Sequence, residues 1–490
     1  MANREEISAV NWTVWALAAL LLLPGARGSV AVYVGKNLTE DGSALLAGYG
    51  DEPSSHWMVI APRRQHPPGA TITVGGTGAA RMPGRLREIP QVAQTYRYLS
   101  MDYSVFAGFP APITNGGMNE HGVAVRDVAL NSRRELVEMT PKDQQGVNYS
   151  DVARIVLERA KTAREAVEIA IDLVERYGDF SYGGNSHLFA DAEEGWVFLT
   201  FAGGKGLWAA RRLGPNEVWL NWRGNTDLGY IQELPAQLAG HPDYRVSRNF
   251  VSFATEQGWY NPAAGKPFHV IAVYCRARTS EQMGPEAREV EAAVRAAAPR
   301  VNVQVLMEQM HRTGKDSSGY AQVAHLRAGI PAALRTLWVA PGPGAAAMFV
   351  PWRMGVEAVP AEYRRHRYLT AGEAEKQMIS PEDRAVEGTR YVNRAVKRLL
   401  YLLEEHREQF GPEVSAALRA WDGRQVAAQA GIERTARVLL AAGEEGLAGR
   451  YLTEQTHAAA GEGMRLLEAL AASLEARTRV LFGEGGAGRP

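Results

Sequence analysis

The sequence is poor in cysteine, in net charge and in long apolar segments, and each shortage excludes a class of protein. Its 490 residues include one cysteine, which excludes an intramolecular disulfide framework and a multi-cysteine metal site. The sequence has 54 basic and 54 acidic residues, so it carries no net positive charge that would attract nucleic acid or an acidic membrane surface. With 46% hydrophobic and 22% charged residues, the composition is that of an ordinary globular protein. We therefore expect no nucleic-acid partner.

The one conspicuous apolar run lies near the amino terminus, at Val14–Leu23. It has the length of a signal-peptide hydrophobic region and is too short to span a bilayer comfortably. Ala26 and Gly28 are small residues at the positions that signal peptidase reads, which predicts cleavage just before Ser29. Residues 1–28 are thus predicted to be a signal peptide or propeptide of an exported protein. Arg4 is the only basic side chain before the apolar run, and Glu5 and Glu6 cancel it. This poor match leaves an uncleaved membrane anchor as the alternative, and only this segment would then contact a membrane.

The pattern changes immediately after Ser29, where apolar residues take up the spacing of β-strands. Val30–Gly35 is predicted to be a strand, Asp41-Gly42 a hairpin turn, and Ala44–Ala47 the returning strand. Ser29 would therefore lie at the end of a sheet, held by the hydrogen bonds of its ladder.

Strands and helices alternate through the middle of the chain. Ser150 is predicted to cap one helix, and Thr162 with Glu165 to form a capping box for the next, which stops before Gly178. A glycine-rich turn leading into a strand is predicted within Ile113–Val125. Further strands are predicted at Ser186–Ala190, Trp196–Phe201, Val218–Asn221, Pro267–Tyr274, Thr336–Ala340 and Met348–Pro351.

The carboxy-terminal part has a different composition. From about Ala371 it is rich in Ala, Glu, Arg and Leu, with helical periodicity through Tyr391–Glu405 and Gly443–Leu481. We expect two packed sheets with helices outside them, and a helical carboxy-terminal layer. The cysteine, Cys275, ends a predicted strand and is expected to be buried core. The predicted regions are a sheet domain at residues 29–365, a helical region at 366–482 and a disordered tail at 483–490.

A serine at the start of a chain is a self-contained nucleophile. Its α-amino group has a reference pKa of about 7.7–8.0, so it can accept the hydroxyl proton near neutral pH without a separate histidine. The requirement is that Ser29 be the first residue, because a peptide nitrogen is not a base. The alternative is that Ser29 is only a small residue beside a cleavage site.

A series of short sequence blocks follows Ser29 in a fixed order. The first is Ser29–Lys36 (SVAVYVGK), which is followed by Asp41-Gly42-Ser43 and then by Asp51. The later blocks are Glu88–Val92 with Thr95, Tyr96 and Tyr98, then Asn119–Ala124, Asn185–Trp196, Trp208–Arg212, Leu326–Val339 and Phe349–Pro360. Their order resembles that of the C69 family of dipeptidases over roughly residues 29–365. No single block is specific, and the shared order carries the resemblance.

The resemblance implies an α+β fold, the four-layer αββα sandwich of N-terminal-nucleophile hydrolases, here with an added carboxy-terminal helical region. It implies that Ser29 is the nucleophile at a position where the family has cysteine, so the hydroxyl depends wholly on its general base. Many members also carry an arginine three residues before the position of Asp51, and here that residue is Gly48. By the same resemblance, Asp51 fixes the amino group or a substrate ammonium. A strand-end aspartate in a turn is the alternative.

Four further residues are candidates for contacts with the substrate. N-terminal-nucleophile hydrolases use an asparagine amide to hold the oxyanion, and either Asn221 or Asn225 is expected to supply it. A turn asparagine is the alternative for both, with Asn225 slightly preferred as the donor. Asn119 and Glu120 are candidates for substrate binding, with a simple tight turn as the alternative.

The sequence therefore predicts an exported dipeptidase acting on small peptides, with no metal and no cofactor. The alternatives are an acylase on other small amides and a non-catalytic, membrane-anchored binding protein of the same fold. His311 has no second ligand at a metal-binding spacing and is expected to be solvated or hydrogen-bonded. The charged carboxy-terminal helices are expected to be solvated, with contact between subunits of a homo-oligomer as the alternative.

Overall fold

A computed structural model describes residues 29–50, 56–103, 108–222, 230–275, 285–314, 318–365 and 390–483. The strands are β1 (Val30–Val34), β2 (Ala44–Tyr49), β3 (His56–Ala61), β4 (Arg64–Gln65), β5 (Thr71–Val74), β6 (Arg87–Pro90), β7 (Gln94–Thr95), β8 (Tyr98–Tyr103), β9 (Ile113–Asn119), β10 (Ala124–Ala129), β11 (Asn185–Ala190), β12 (Gly195–Thr200), β13 (Trp208–Leu213), β14 (Val218–Trp222), β15 (Tyr244–Val246), β16 (Ala321–Leu326), β17 (Thr336–Ala340) and β18 (Val350–Arg353). The α-helices are α1 (Arg134–Met139), α2 (Tyr149–Arg159), α3 (Ala163–Tyr177), α4 (Phe250–Glu256), α5 (Val270–Tyr274), α6 (Pro285–Ala297), α7 (Val303–Thr313), α8 (Val392–Glu405), α9 (Arg407–Ala441) and α10 (Glu445–Phe482).

Two antiparallel sheets form the centre of the described fold. A six-stranded sheet has the order β14-β1-β2-β16-β17-β18, and an eight-stranded sheet has the order β15-β13-β12-β11-β10-β9-β8-β3. Their inner faces pack together, as two hydrogen bonds from one sheet to the other show. Asn221 Nδ2 donates to Ser186 Oγ at 2.5 Å, and Gln322 Nε2 donates to the carbonyl oxygen of Val125 at 2.9 Å. Every residue of β1 and β2 is buried, because these strands are covered on both faces.

Helices cover the outer faces of both sheets. On the eight-stranded sheet, apolar residues of α2 and α3 share one core with side chains of β10, β11 and β12. On the six-stranded sheet, α6 lies against β14, and α7 lies against β2 and β16. The layers are thus helix, sheet, sheet, helix, and the expected α+β fold is confirmed.

The carboxy-terminal helices extend the layer outside the six-stranded sheet. Helices α8 and α9 pack side by side with α10, which also contacts β18. A polar contact fixes α9 to α7: His311 Nε2 lies 2.5 Å from Asp422 Oδ2, and His311 Nδ1 lies 2.6 Å from the carbonyl oxygen of Gly344. The hydrogen-bonded role expected for His311 is therefore confirmed. The proposed boundary after residue 365 stays a prediction, since residues 366–389 lie outside the described part.

The predicted helix caps are half right. Thr162 accepts a hydrogen bond from the backbone N–H of Glu165 at 3.1 Å, and α3 stops before Gly178 as expected. The capping box is incomplete, because the carboxylate of Glu165 accepts from the backbone N–H of Lys161 at 2.8 Å and not from that of Thr162. The cap of α2 is Asn148, two residues before the predicted Ser150, because Asn148 and Asp151 form a reciprocal capping box. The hydroxyl of Ser150 instead accepts a hydrogen bond from the backbone N–H of Thr114, on the neighbouring strand.

Two predicted elements differ from those in the structure. Within Ile113–Val125, the expected turn leading into a strand is present only after Asn119, before β10; the glycines Gly116 and Gly117 lie in β9, where they allow close approach of both neighbouring strands. The expected strand ending at Cys275 is the short helix α5, whose first turn is capped by the side chain of His269. Its apolar residues are buried on nearly all sides, which removes the periodicity that separates a helix from a strand. Cys275 itself is buried, as expected.

The predictions for both ends of the chain fall outside the described residues. These are the signal peptide at 1–28 and nearly all of the tail at 483–490. Among the described helices, none combines the length and the apolar character that a bilayer span requires.

Candidate active site

Ser29 lies at the entry to β1, between the two sheets. Strand β1 pairs with β14 on one side and with β2 on the other, and Val30 lies opposite Trp222 and Tyr49. Side chains of a strand alternate between faces, so Ser29 shares its face with Ala31. Ala31 lies directly opposite Asn221, whose side chain reaches the eight-stranded sheet. The side chain of Ser29 is therefore directed to the space between the sheets, where it is buried.

Asn221 presents its amide on the same inner face, diagonally across from Ser29. Diagonal neighbours on paired strands are separated by about 7–8 Å, which leaves room for a carbonyl group between them. Its Oδ1 accepts a hydrogen bond from Trp219 Nε1 at 2.9 Å, and its Nδ2 donates to Ser186 Oγ at 2.5 Å. The orientation of the amide is thereby fixed. Since an asparagine amide has two N–H donors and Ser186 takes one, the other can serve an oxyanion.

Two rows of residues cross the inner face of the six-stranded sheet at this end. The first row is Asn221, Ala31, Gly48 and Gln322, which lie opposite one another on successive strands. Successive side chains of a strand alternate between its faces, so the residues two positions further along these strands form a second row on the same face. This second row consists of Ser29, Gly50 and Tyr320. Both rows are largely free of bulky side chains over β2, because positions 48 and 50 are glycine.

Arg126 occupies the space above those glycines, and the sequence analysis missed it. It lies on β10 of the facing sheet and is fully buried. A Cβ atom on Gly48 would lie 2.9 Å from its Cγ, and its guanidinium carbon lies 4.7 Å from the ring centre of Tyr320. No pattern in the sequence points to this arginine, since its place over Gly48 and Tyr320 depends on how the two sheets pack together.

Two predicted site residues cannot be compared with this geometry. Asp51 and Asn225 lie in the segments 51–55 and 223–229, outside the described residues. Their predicted roles stay predictions. Both segments adjoin the site by sequence, because one follows β2 and the other follows β14.

Asn119 and Glu120 are not brought to Ser29. Asn119 ends β9, three residues and about 10 Å beyond Gly116, which lies opposite Arg126. Its Nδ2 donates to the carbonyl oxygens of two α2-region residues at 3.0 and 2.7 Å, and its Oδ1 accepts two backbone N–H groups of the following turn. Glu120 forms an ion pair with Arg63 at 3.0 Å. The geometry fits the tight-turn alternative for both residues.

His187 is a buried histidine near the site that faces away from it. It follows Ser186 on β11, and its Nε2 lies 2.9 Å from the carbonyl oxygen of Tyr149 on α2. Burial lowers the pKa of His187 to about 4, so the ring is neutral at neutral pH. Because successive side chains of a strand point to opposite faces, this ring is on the helix side of the sheet and not on the side of Ser29.

Within the described ranges, no group of three or more histidine, cysteine, aspartate or glutamate side chains could hold a metal ion. The chemistry that the described residues support is nucleophilic attack by a hydroxyl, with an amide donor placed to stabilise the resulting oxyanion.

Comparison with known proteins gives a family and several distant relatives. The sequence model of peptidase family C69 matches residues 29–310. A probable dipeptidase of Salmonella dublin is 24% identical over 242 residues, which is 49% of this chain and 51% of that protein. Probable dipeptidase B of Streptococcus pyogenes serotype M3 is 26% identical over 192 residues, or 38% of this chain and 36% of that protein. The chain thus spans about half, or less, of the length of these curated relatives.

Two solved structures are also similar to the chain. Both are variants of conjugated bile acid hydrolase from Clostridium perfringens. One has a TM-score of 0.34 and 11% identity, covering 67% of this chain and 93% of that chain. The other has a TM-score of 0.29 and 10% identity, covering 64% and 89% respectively.

Proposed function

Because the chain belongs to peptidase family C69, we propose that it is an exported dipeptidase that uses Ser29 as an N-terminal nucleophile. The observation that carries the proposal is the position of Ser29 at the start of β1, on the inner face and diagonal to the fixed amide of Asn221. Removal of residues 1–28 would convert the nitrogen of Ser29 from a peptide nitrogen into an amine. The nucleophile and its general base would then belong to one residue.

The first half of the reaction forms an acyl-enzyme ester. The α-amino group of Ser29 accepts the hydroxyl proton while Oγ attacks the carbonyl carbon of the scissile peptide bond. Negative charge develops on the carbonyl oxygen, and the second N–H of Asn221 donates to it. Asn225 is the alternative donor. The ammonium then gives its proton to the leaving nitrogen, the C–N bond breaks, and the amine product departs.

Water completes the reaction through the same groups. The α-amino group takes a proton from water, the hydroxide attacks the ester carbonyl, and the same amide stabilises the second oxyanion. The proton returns to Ser29 Oγ as the carboxylic acid leaves, which restores the starting state. No step requires a group beyond the substrate, water and the residues named.

The proposed substrates are dipeptides. Support comes from the family and from relatives in Salmonella dublin, Latilactobacillus sakei and Streptococcus pyogenes that are described as probable dipeptidases.

The test is hydrolysis of a panel of dipeptides by a purified chain that begins at Ser29. We expect turnover by this chain, and none by a Ser29→Ala variant or by a chain that retains residues 1–28. A Ser29→Cys variant is the matched control, because it keeps the size and the α-amino group while changing the attacking atom. Equal turnover by the Ser29→Ala variant would contradict the proposal.

A further inference from the structure

The guanidinium of Arg126 is an unusual feature of the space between the sheets. Its three nitrogen atoms are buried and have no hydrogen-bonding partner among the described residues. No carboxylate of those residues forms an ion pair with it. A buried, unpaired charge is costly, and the stacking of this cation on Tyr320 offsets only part of that cost. Unpaired buried charges of this kind are concentrated at functional sites, where they shift the protonation of a neighbour.

The position of the guanidinium follows from the two rows on the inner face. Its Cγ lies over Gly48 in the first row, and its guanidinium lies over Tyr320 in the second row. Ser29 and Tyr320 are separated in that second row by Gly50 alone, which is two strand spacings or about 10 Å. The arginine therefore extends from the first row into the row of Ser29, above a strand that has no side chain to exclude it.

Glycine at position 48 leaves room for the arginine and for the neighbouring strand. A Cβ atom there would lie 2.3 Å from the carbonyl oxygen of Val30 on β1 and 2.9 Å from Arg126 Cγ, both closer than nonbonded atoms approach. A side chain at this position would therefore disturb both the pairing with β1 and the place of Arg126 against the six-stranded sheet.

We propose that Arg126 is a positioning residue for the nucleophile, whose positive charge keeps the α-amino group of Ser29 unprotonated at neutral pH. The inference rests on the proposed function, since it requires Ser29 to be the first residue. A free α-amino group has a reference pKa of about 7.7–8.0, so at neutral pH most of it would be protonated and unable to act as a base. A cation about 10 Å away across a protein interior, where charges are screened less than in water, disfavours a second positive charge and lowers that pKa by about one unit.

Other titratable groups lie near the guanidinium of Arg126 and the ring of Tyr320 beneath it. Tyr320 lies under the guanidinium, and the ring of His56 lies 5.6 Å from the ring of Tyr320. Asp127, the next residue on β10, points to the opposite face of its sheet. Asp51 is the acidic residue nearest in sequence to this row, and it lies outside the described residues. A neutral replacement of Arg126 leaves all of these groups in place.

The experiment compares the pH dependence of kcat/KM for dipeptide hydrolysis in chains that begin at Ser29. In an Arg126→Met variant, we expect the acid limb to move to higher pH by about one unit, which lowers the rate on that limb about tenfold. An Arg126→Lys variant keeps the charge and should move the limb less. An Arg353→Met variant removes another fully buried arginine, in contact with Thr456 of the carboxy-terminal layer, and should leave the limb unchanged.

The titration of the amine is measured independently of turnover. The rate of reductive methylation of the Ser29 α-amino group, followed by mass spectrometry of the first peptide, gives its pKa in each folded variant. A higher pKa in Arg126→Met than in the parent chain supports the inference, even if no dipeptide is hydrolysed and the proposed function fails. An unchanged pKa overturns it. A rise in KM confined to substrates with a free carboxylate, with the acid limb unmoved, also overturns it, because Arg126 would then bind substrate.

Discussion

Replacement of Asn221 by alanine tests whether the amide of this residue acts in catalysis or only in stabilising the fold. The side chain makes two hydrogen bonds, one from Trp219 and one to Ser186 on the other sheet. Its loss leaves the buried hydroxyl of Ser186 unsatisfied, at a cost of about 1–3 kcal/mol in unfolding free energy, and frees the indole N–H of Trp219, which is only half-buried. If the remaining N–H holds the oxyanion, kcat should also fall by roughly 100- to 1,000-fold, the usual effect of removing one such donor.

The matched control is Ser186→Ala. This change removes the hydrogen bond that Asn221 Nδ2 donates to the other sheet, and it leaves the amide of Asn221 in the protein. A neutral hydrogen bond contributes about 1 kcal/mol to stability, so the loss in kcat should stay below about tenfold. The two effects are measured by single-turnover hydrolysis of a dipeptide and by urea unfolding of the same preparations.

The comparison between the two variants decides the role of Asn221. We expect a somewhat larger loss of stability in Asn221→Ala, which removes two hydrogen bonds and not one, and a loss of kcat far beyond that difference. Equal losses of kcat would refute the assignment, because they would show that the amide acts only through the packing of the sheets. A large loss in Asn225→Ala together with a small loss in Asn221→Ala would transfer the role to Asn225.

Three further predictions concern other parts of the fold. Burial alone would lower the pKa of His311, but the charge and hydrogen bond of Asp422 outweigh it and raise that pKa. The resulting stabilisation is complete below the ordinary imidazole pKa and is lost as pH rises through the raised value. The Asp422→Asn variant should therefore lose about 3 kcal/mol of unfolding free energy near pH 6 and less near pH 9. Urea unfolding at the two pH values measures this, and an equal loss at both would contradict it. Burial raises the pKa of the Cys275 thiol, so this cysteine should not react with an alkylating reagent in the folded protein. Thiol alkylation should therefore leave dipeptide hydrolysis by the parent chain unchanged and abolish hydrolysis by a Ser29→Cys variant. Inactivation of the parent chain would contradict the assignment of Ser29 as nucleophile. Gly116 has a φ of 145°, and a Cβ atom there would lie 1.9 Å from the carbonyl oxygen of Val125 on β10. The Gly116→Ala variant should therefore lose more than about 1–3 kcal/mol of unfolding free energy, measured by thermal or urea unfolding. An unfolding midpoint equal to that of the parent chain would contradict this close packing of β9 and β10.

Much of the fold is predictable from local patterns in the sequence. The strands β1, β2, β11, β12, β14 and β17 appear within a residue or two of their predicted positions, because each alternates or is bounded by turn residues. The cap at Thr162 follows from a polar residue followed three positions later by Glu165. For Val270–Tyr274 the sequence predicts a strand where the structure has helix α5, because these five residues are all apolar and show no helical periodicity.

The candidate site was predictable only in part. Ser29 and Asn221 carried sequence signals, one from the cleavage pattern and one from its place at the end of a predicted strand. Arg126 carried none, since it lies in the middle of β10 and meets Gly48 only through the packing of two sheets. Asn119 looked like a binding residue because its amide is polar and lies in a turn. In the structure, its N–H groups join β9 to the α2 region and its oxygen closes the turn after β9.

The central claim is that the working enzyme begins at Ser29, and the most direct test is the mature amino terminus. The protein is purified after passage through an export pathway, and its intact mass and terminal sequence are determined alongside dipeptide hydrolysis. The account predicts a chain that starts at Ser29 and is active. An active chain that still carries residues 1–28 would contradict it, because the nitrogen of Ser29 would then be a peptide nitrogen and not a base.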